Sequence, residues 1–174
     1  MKSEIEFKFL VNDNSWKQHV VTKTKIVQGY ISTNKELTSR VRTTINLETN
    51  NRRGFLTFKG PSTKTTDGAS ECPELEYEIP YAEAEYLIGL TSLKINKIRN
   101  IIPIQDSTLV WEIDEYTDNN LIGLVTAELE IKKGQPRVFR LPSWIGDDVS
   151  NDSNYKNVVL AKKASAENES SFNP

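Results

Sequence analysis

The chain has 174 residues, and 22 Lys and Arg against 24 Asp and Glu give a formal net charge of −2. That length suits one domain, and the single cysteine excludes an internal disulfide framework and a multi-cysteine zinc site. The near-neutral charge argues against a nucleic-acid partner, and no apolar run approaches the ~18 residues of a membrane span. We therefore expect a soluble cytoplasmic protein with neither a membrane nor a nucleic acid as partner.

Most of the sequence alternates between polar and apolar residues with period two, which is typical of β-strands. The alternation predicts eight strands, near residues 2–10, 25–32, 38–47, 53–60, 73–80, 94–103, 108–116 and 122–132. Short helices are predicted around Trp16, after Pro80, and over about 153–163. Many strands with few helices indicate an α+β protein built on antiparallel sheet, as a sandwich or a closed barrel.

The end of the chain has a different composition. Residues 164–174 are rich in Ser, Asn and Glu and contain almost nothing apolar. Such a segment cannot bury enough surface to order itself, so we predict a disordered tail. The folded domain is predicted to span residues 1–163, without a linker or an internal repeat.

The predicted strands carry charge on one face only. In the first strand Glu4, Glu6 and Lys8 alternate with Ile5 and Phe7, so the charged and apolar side chains point to opposite faces. The charged positions of all such strands are Glu4, Glu6, Lys8, Arg40, Arg42, Lys59, Glu74, Glu76, Lys97, Arg99, Glu112, Asp114, Glu128 and Glu130. Two structures fit this pattern: a sheet with its charged face in water, and a barrel whose charged faces line a wet lumen.

The signs of these charges are segregated by strand, which favours the lumen. Purely basic or purely acidic pairs occur at Arg40/Arg42, Lys97/Arg99, Glu74/Glu76, Glu112/Asp114 and Glu128/Glu130. Like charges this close repel each other, so an ordinary solvated surface gains nothing from the arrangement. Carboxylates bind hard cations such as Mg²⁺ and Mn²⁺, and arginines and lysines bind phosphate oxygens. The pattern predicts a site for a polyphosphate carried with metal ions.

The same residues occur in a series of motifs. In chain order these are Glu4-Ile5-Glu6-Phe7-Lys8, Gln28-Gly29-Tyr30, Arg40-Val41-Arg42, Leu56-Thr57-Phe58-Lys59-Gly60, Glu74-Leu75-Glu76, Lys97-Ile98-Arg99, Trp111-Glu112-Ile113-Asp114 and Ala127-Glu128-Leu129-Glu130. The series resembles the CYTH superfamily, also called triphosphate tunnel metalloenzymes, and within it the bacterial triphosphatase-like branch. The resemblance spans about residues 2–163. It implies an eight-stranded antiparallel closed barrel, a tunnel with a charged interior, flanked by short helices.

The resemblance also implies roles for individual residues. The metal, Mg²⁺ or Mn²⁺, would be held by Glu4, Glu6, Glu128 and Glu130 with assistance from Asp114, and Glu74 and Glu112 would be additional tunnel acids. The triphosphate would be bound by Arg40, Arg42, Lys59, Lys97 and Arg99. The implied catalytic residues are Lys8 near the scissile phosphoryl group, Tyr30 paired with that lysine, and Glu76 at a second metal ion or at the attacking water.

Lys8 is a poor candidate for the general base. Glu4 and Glu6 on the same strand face favour its charged form and raise its pKa, whereas a base needs a lowered pKa. We expect Lys8 to position water and to stabilise charge. The role of base then falls to a carboxylate or to water on the metal.

The leading hypothesis is metal-dependent hydrolysis of a triphosphate, with inorganic triphosphate ahead of nucleoside triphosphates. The alternatives are an adenylyl cyclase that converts ATP to cyclic AMP, and a non-catalytic protein that binds polyphosphate or nucleotides. The sequence leaves open which triphosphate is the physiological substrate and which metal ion is preferred. It also leaves open whether the chain forms a homodimer.

Overall fold

The computed structural model describes residues 3–132 and 140–166. The strands in these ranges are β1 (Ser3–Val11), β2 (Thr22–Thr33), β3 (Thr38–Asn46), β4 (Arg52–Lys59), β5 (Thr63–Lys64), β6 (Ser70–Ile79), β7 (Leu93–Pro103), β8 (Val110–Tyr116), β9 (Val125–Ile131) and β10 (Ile145–Asp148). The α-helices are α1 (Tyr81–Leu90) and α2 (Asn157–Ser165), and 3₁₀ turns occupy Ser15–His19, Asn119–Leu121 and Ser153–Tyr155. None of the helices in the described part of the chain is long and apolar enough to cross a bilayer.

Eight of the described strands form a closed antiparallel barrel. They are hydrogen-bonded in the order β1–β9–β8–β7–β2–β3–β4–β6, and β6 pairs with β1 to close the ring. The closing contact joins residues 3–6 to residues 70–73, which are far apart in the chain. The short strands β5 and β10 add to β6 and β1 respectively. Closure confirms the barrel and leaves a lumen inside it.

The alternation in the sequence located all eight barrel strands, with shifted ends. Strands β2 and β6 begin at Thr22 and Ser70, three residues before the predicted starts, and β9 begins at Val125, three residues after. Strands β5 and β10 were not predicted, because two and four residues are too few to register an alternation. The predicted first helix is a 3₁₀ turn. Helix α2 continues to Ser165, and residues 167–174 of the predicted tail lie outside the described residues.

The apolar strand faces lie on the outside of the barrel, where helices and loops cover much of them, although Leu75 and Tyr77 of β6 are exposed. Gly54 of β4 lies directly beneath α1, and a Cβ atom there would come within 2.7 Å of the Cβ of Ala84. Only glycine therefore allows the helix to approach this closely. A second core covers β1, β8 and β9 and includes Ile5, Phe7, Phe9, Trp16, Trp111, Ile113, Leu129, Ile131 and Trp144.

Helix α2 lies across one end of the lumen. Tyr30, Ile95 and Tyr116 form a buried cluster with Leu160 of α2. Ile95 is two residues from Lys97 on β7, so both side chains face the lumen. Because α2 packs on side chains of the lumen face, it closes that end of the barrel.

Candidate active site in the barrel lumen

The pleat of the barrel strands turns the predicted charged side chains into the lumen. Lys8 lies directly opposite Glu128 on the neighbouring strand, and Lys59 lies directly opposite Glu74. The remaining predicted site residues are related to these by even spacings along the strands and by the same cross-strand register. Closure of the ring thus gathers both signs of charge around one space.

The first group of contacts centres on Glu128, which is 4% exposed. Its carboxylate lies 2.7 Å from the Lys8 ammonium and 2.6 Å from Arg99 Nη2. Lys8 also donates a hydrogen bond of 3.0 Å to the carbonyl of Tyr155, just before α2. Burial is the largest single influence and would lower the pKa of Lys8, but Glu128, Tyr116 and Glu6 together outweigh it and raise that pKa above its usual value. Lys8 is therefore protonated at neutral pH, and the contacts favour its predicted role over that of a base.

Asp114 is fully buried between two cations. Arg99 donates to its two carboxylate oxygens at 2.7 and 2.6 Å, and Lys97 forms a further ion pair with it. Arg99 also pairs with Glu112. Burial and the nearby charge of Arg99 lower the pKa of Lys97, so Asp114 is the counter-ion that keeps this buried lysine charged.

A second group of contacts centres on Lys59. Lys59 pairs with Glu4 and lies 2.8 Å from Glu74, and Arg40 approaches Glu74 at 3.9 Å. The closing strand pair β1–β6 brings these residues together, since Glu4 belongs to β1 and Glu74 to β6. The group joins a predicted metal ligand to two predicted phosphate-binding cations.

Arg42 forms the third group with Glu76. The two side chains meet at 3.0 Å, and the Arg42 guanidinium lies 4.9 Å from the ring centre of Phe55. The Nε groups of both Arg42 and Arg40 are buried and find no hydrogen-bond acceptor among residues 3–132 and 140–166. A buried donor without a partner costs free energy, so these two neighbouring arginines each have a donor available for an acceptor such as a phosphate oxygen.

A family model for the CYTH domain matches residues 2–158. The chain belongs to the CYTH domain family. An inorganic triphosphatase of Acetivibrio thermocellus is 38% identical over 164 residues, which cover 93% of this chain and 95% of the relative. An inorganic triphosphatase of Nitrosomonas europaea is 27% identical over 161 residues, which cover 91% of this chain and 97% of the relative.

Solved structures share the architecture of this CYTH barrel. The crystal structure of the inorganic triphosphatase NE1496 matches with a TM-score of 0.59 and 26% identity, over 92% of this chain and 95% of that chain. The PH1819 protein from Pyrococcus horikoshii OT3 matches with a TM-score of 0.56 and 19% identity, over 77% and 80%, and shares the fold. CYTH triphosphatases in general depend on metal ions.

The acids of the CYTH lumen fit such an ion by their chemistry. Carboxylate oxygens are the ligands that Mg²⁺ and Mn²⁺ prefer. Burial and repulsion from Glu128 raise the pKa of Glu6 to about 8, and burial also raises the pKa of Glu112. The nearby cations therefore do not fully offset the burial and the mutual repulsion that disfavour the charged forms of these two acids. Among the described residues no three ligand side chains already surround a common ion position, because most of the acids are paired with lysine or arginine.

Two further predicted site residues are Glu130 and Tyr30. Glu130 is exposed, although it faces the lumen across from Glu6. The Tyr30 hydroxyl accepts a hydrogen bond of 2.8 Å from Gln28 and lies in the cluster under α2, so the expected pairing with Lys8 is not made. The physical reason is the register of β1 and β9, which places Glu128 directly opposite Lys8, so that the Lys8 ammonium pairs with this carboxylate.

Several uncharged residues of the lumen were not singled out from the sequence. Thr57 donates a hydrogen bond to Glu76, and Tyr116 forms hydrogen bonds with Thr126 and with Asn157 at the start of α2. Thr57 could have been found, since it stands two residues before Lys59 and therefore shares its face. The contacts of Tyr116 with residues near α2 carry no comparable local signal.

Proposed function

We propose that this chain is a metal-dependent triphosphatase that hydrolyses inorganic triphosphate inside the barrel. The observation that carries the proposal is the pair of buried Nε donors on Arg40 and Arg42, for which the described residues supply no acceptor. A triphosphate supplies several anionic acceptors in a row. The two relatives named inorganic triphosphatase, each matched over nine-tenths of this chain, support this substrate.

The cations of the lumen bind the substrate in this proposal. Arginine offers a planar fork that suits phosphate oxygens, and lysine offers a point charge. The binding residues are Arg40, Arg42, Lys59, Lys97 and Arg99, with Lys8 at the phosphoryl group that is transferred. Each of them is paired with a carboxylate in the structure, so the substrate has to replace those partners.

The acids hold the metal ion, Mg²⁺ or Mn²⁺. The proposed ligands are Glu4, Glu6, Asp114, Glu128 and Glu130, with Glu74 and Glu112 as further acids. When bound, the ion neutralises charge on the phosphate oxygens and favours ionisation of a coordinated water. Because triphosphate takes over the lysines and arginines, it frees carboxylates for the ion. Substrate and metal therefore strengthen each other's binding, and the coupling is reciprocal.

The protein contributes positioning and charge stabilisation to this reaction more than covalent chemistry. Water attacks a terminal phosphorus atom, the anhydride P–O bond breaks, and orthophosphate and pyrophosphate leave. Charge spread over the transferring group is stabilised by fixed cations, and Lys8 is one of them because Glu128 keeps it protonated. Glu76 orients the attacking water, since its side chain is 25% exposed in the lumen.

Product analysis tests the proposal and separates it from its alternatives. Orthophosphate and cyclic AMP are measured with inorganic triphosphate, ATP and thiamine triphosphate, each with Mg²⁺, Mn²⁺ and Ca²⁺. We expect orthophosphate from inorganic triphosphate with Mg²⁺ or Mn²⁺. Arg40→Gln should weaken turnover, whereas the matched control Arg52→Gln, at an exposed position, should not. Cyclic AMP from ATP would identify a cyclase instead, and binding without turnover would identify a binding protein.

A further inference from the structure

Thr57 of β4 is fully buried and lies directly opposite Glu76 of β6. Its hydroxyl donates a hydrogen bond of 2.9 Å to Glu76 Oε2. Arg42 Nη2 donates to the same oxygen atom at 3.0 Å. The Glu76 carboxylate is thus held through one oxygen by two donors on neighbouring strands.

The other oxygen of this carboxylate, Oε1, accepts no hydrogen bond from the residues that the structure describes. Because the Glu76 side chain is 25% exposed, Oε1 remains accessible to water in the lumen. A buried hydroxyl is stabilised only when it is hydrogen-bonded, and a carboxylate can only accept. The hydroxyl hydrogen of Thr57 therefore points at Glu76 Oε2, and this hydrogen bond holds the Glu76 carboxylate in one orientation.

We propose that Thr57 is a positioning residue for hydrolysis, which anchors Glu76 through Oε2 so that Oε1 can orient the attacking water. The inference rests on the proposed function and concerns the same site. It adds an uncharged residue that acts through Glu76.

Arg42 cannot supply this anchor throughout the reaction. Its Nε has no acceptor in the part of the chain that the structure describes, and in the proposed function its guanidinium turns to phosphate oxygens when the substrate binds. The contact between Arg42 and Glu76 is then weakened or lost. Thr57 is neutral and fully buried, so its hydrogen bond to Glu76 persists in the complex.

Substitution of the hydroxyl alone tests the proposal. Thr57→Val keeps the shape of the side chain, and we expect kcat to fall about tenfold while KM stays within about twofold, since a hydrogen bond to a charged group is worth at least that factor. Thr57→Ser keeps the hydroxyl and should restore kcat to within about threefold of wild type. Thr57→Ala replaces Thr57→Val as the test if the valine variant does not fold.

Two comparisons distinguish positioning from a general structural role. In a Glu76→Ala background, Thr57→Val should cause no further loss of kcat, because the carboxylate through which Thr57 acts has been removed. The matched control is Thr43→Val, a buried threonine on the outer face of β3, which should leave kcat unchanged. A full kcat in Thr57→Val, a loss that Thr57→Ser does not restore, or an equal loss in the Glu76→Ala background would each overturn the proposal.

A crystal structure of Thr57→Val separates this proposal from that of hydrolysis itself. If the wild-type protein turns over no triphosphate, the proposed function is wrong and kcat cannot be compared between the variants. The position of Glu76 still decides the anchoring role. A carboxylate displaced from its wild-type position supports anchoring by Thr57, and an unchanged carboxylate refutes it.

Discussion

Replacing Asp114 by asparagine tests whether paired charges hold the lumen together. Asp114 is fully buried and neutralises both Lys97 and Arg99. Removing one partner of a buried ion pair costs about 3–5 kcal/mol, because the remaining charge stays buried without compensation. A chain of this size loses about 2–4 °C in Tm per kcal/mol, so Asp114→Asn should lower Tm by roughly 6–20 °C.

Thermal unfolding followed by circular dichroism, with a chelator present, measures this effect without any metal. The control is Glu78→Gln, which breaks the exposed pair with Arg53 and should leave Tm close to that of the wild type. Inorganic triphosphate should recover part of the loss in Asp114→Asn, because it returns negative charge to Lys97 and Arg99. A Tm within about 2 °C of the wild type would refute the reasoning.

The same variant should show a characteristic dependence on pH. Burial and Arg99 already lower the pKa of Lys97, and the loss of Asp114 lowers it further. Keeping Lys97 protonated then costs stability at every pH below its folded-state pKa. The cost is relieved as pH rises from that pKa towards 10.5, the ordinary lysine value, because in this range the unfolded chain still binds the proton that the folded chain has lost. The difference in Tm between wild type and Asp114→Asn should therefore narrow from about pH 7 to about pH 10.

The remaining predictions concern turnover of triphosphate. Lys8→Arg should fold normally and keep the ionisations of the wild-type pH–rate profile, because Lys8 is already protonated beside Glu128; loss of a basic ionisation would make Lys8 the base after all. The double variant Glu128→Ala, Glu130→Ala should abolish metal-dependent turnover in the phosphate-release assay, and normal activity would remove the metal assignment. Arg40→Ala should raise KM about tenfold with a smaller effect on kcat, and an unchanged KM would contradict phosphate binding by this residue.

The sequence located the charged strand faces because alternation is a local property. Glu4, Glu6 and Lys8 share a face in any extended strand, whichever strand lies next to it. The pattern alone left a solvated sheet and a lumen as alternatives, since both put charge on one face. The order of the motifs, through their resemblance to a known family, pointed to the barrel.

The partners of each charge could not be read from the sequence. Lys8 was expected to pair with Tyr30, yet it binds Glu128 and the carbonyl of Tyr155. Glu128 is opposite Lys8 only because β1 and β9 pair in one particular register. A shift of that register by one residue would turn either side chain to the other face.

The sequence by itself determined where the strands run, which face of each carries charge, and that acids and bases occur in segregated pairs. Only the tertiary structure decided that β6 closes onto β1, that α2 covers one end, and that Thr57 holds Glu76. The first set follows from the pleat of a single strand. The second depends on contacts between residues far apart in the chain, which the stagger and closure of the strands create.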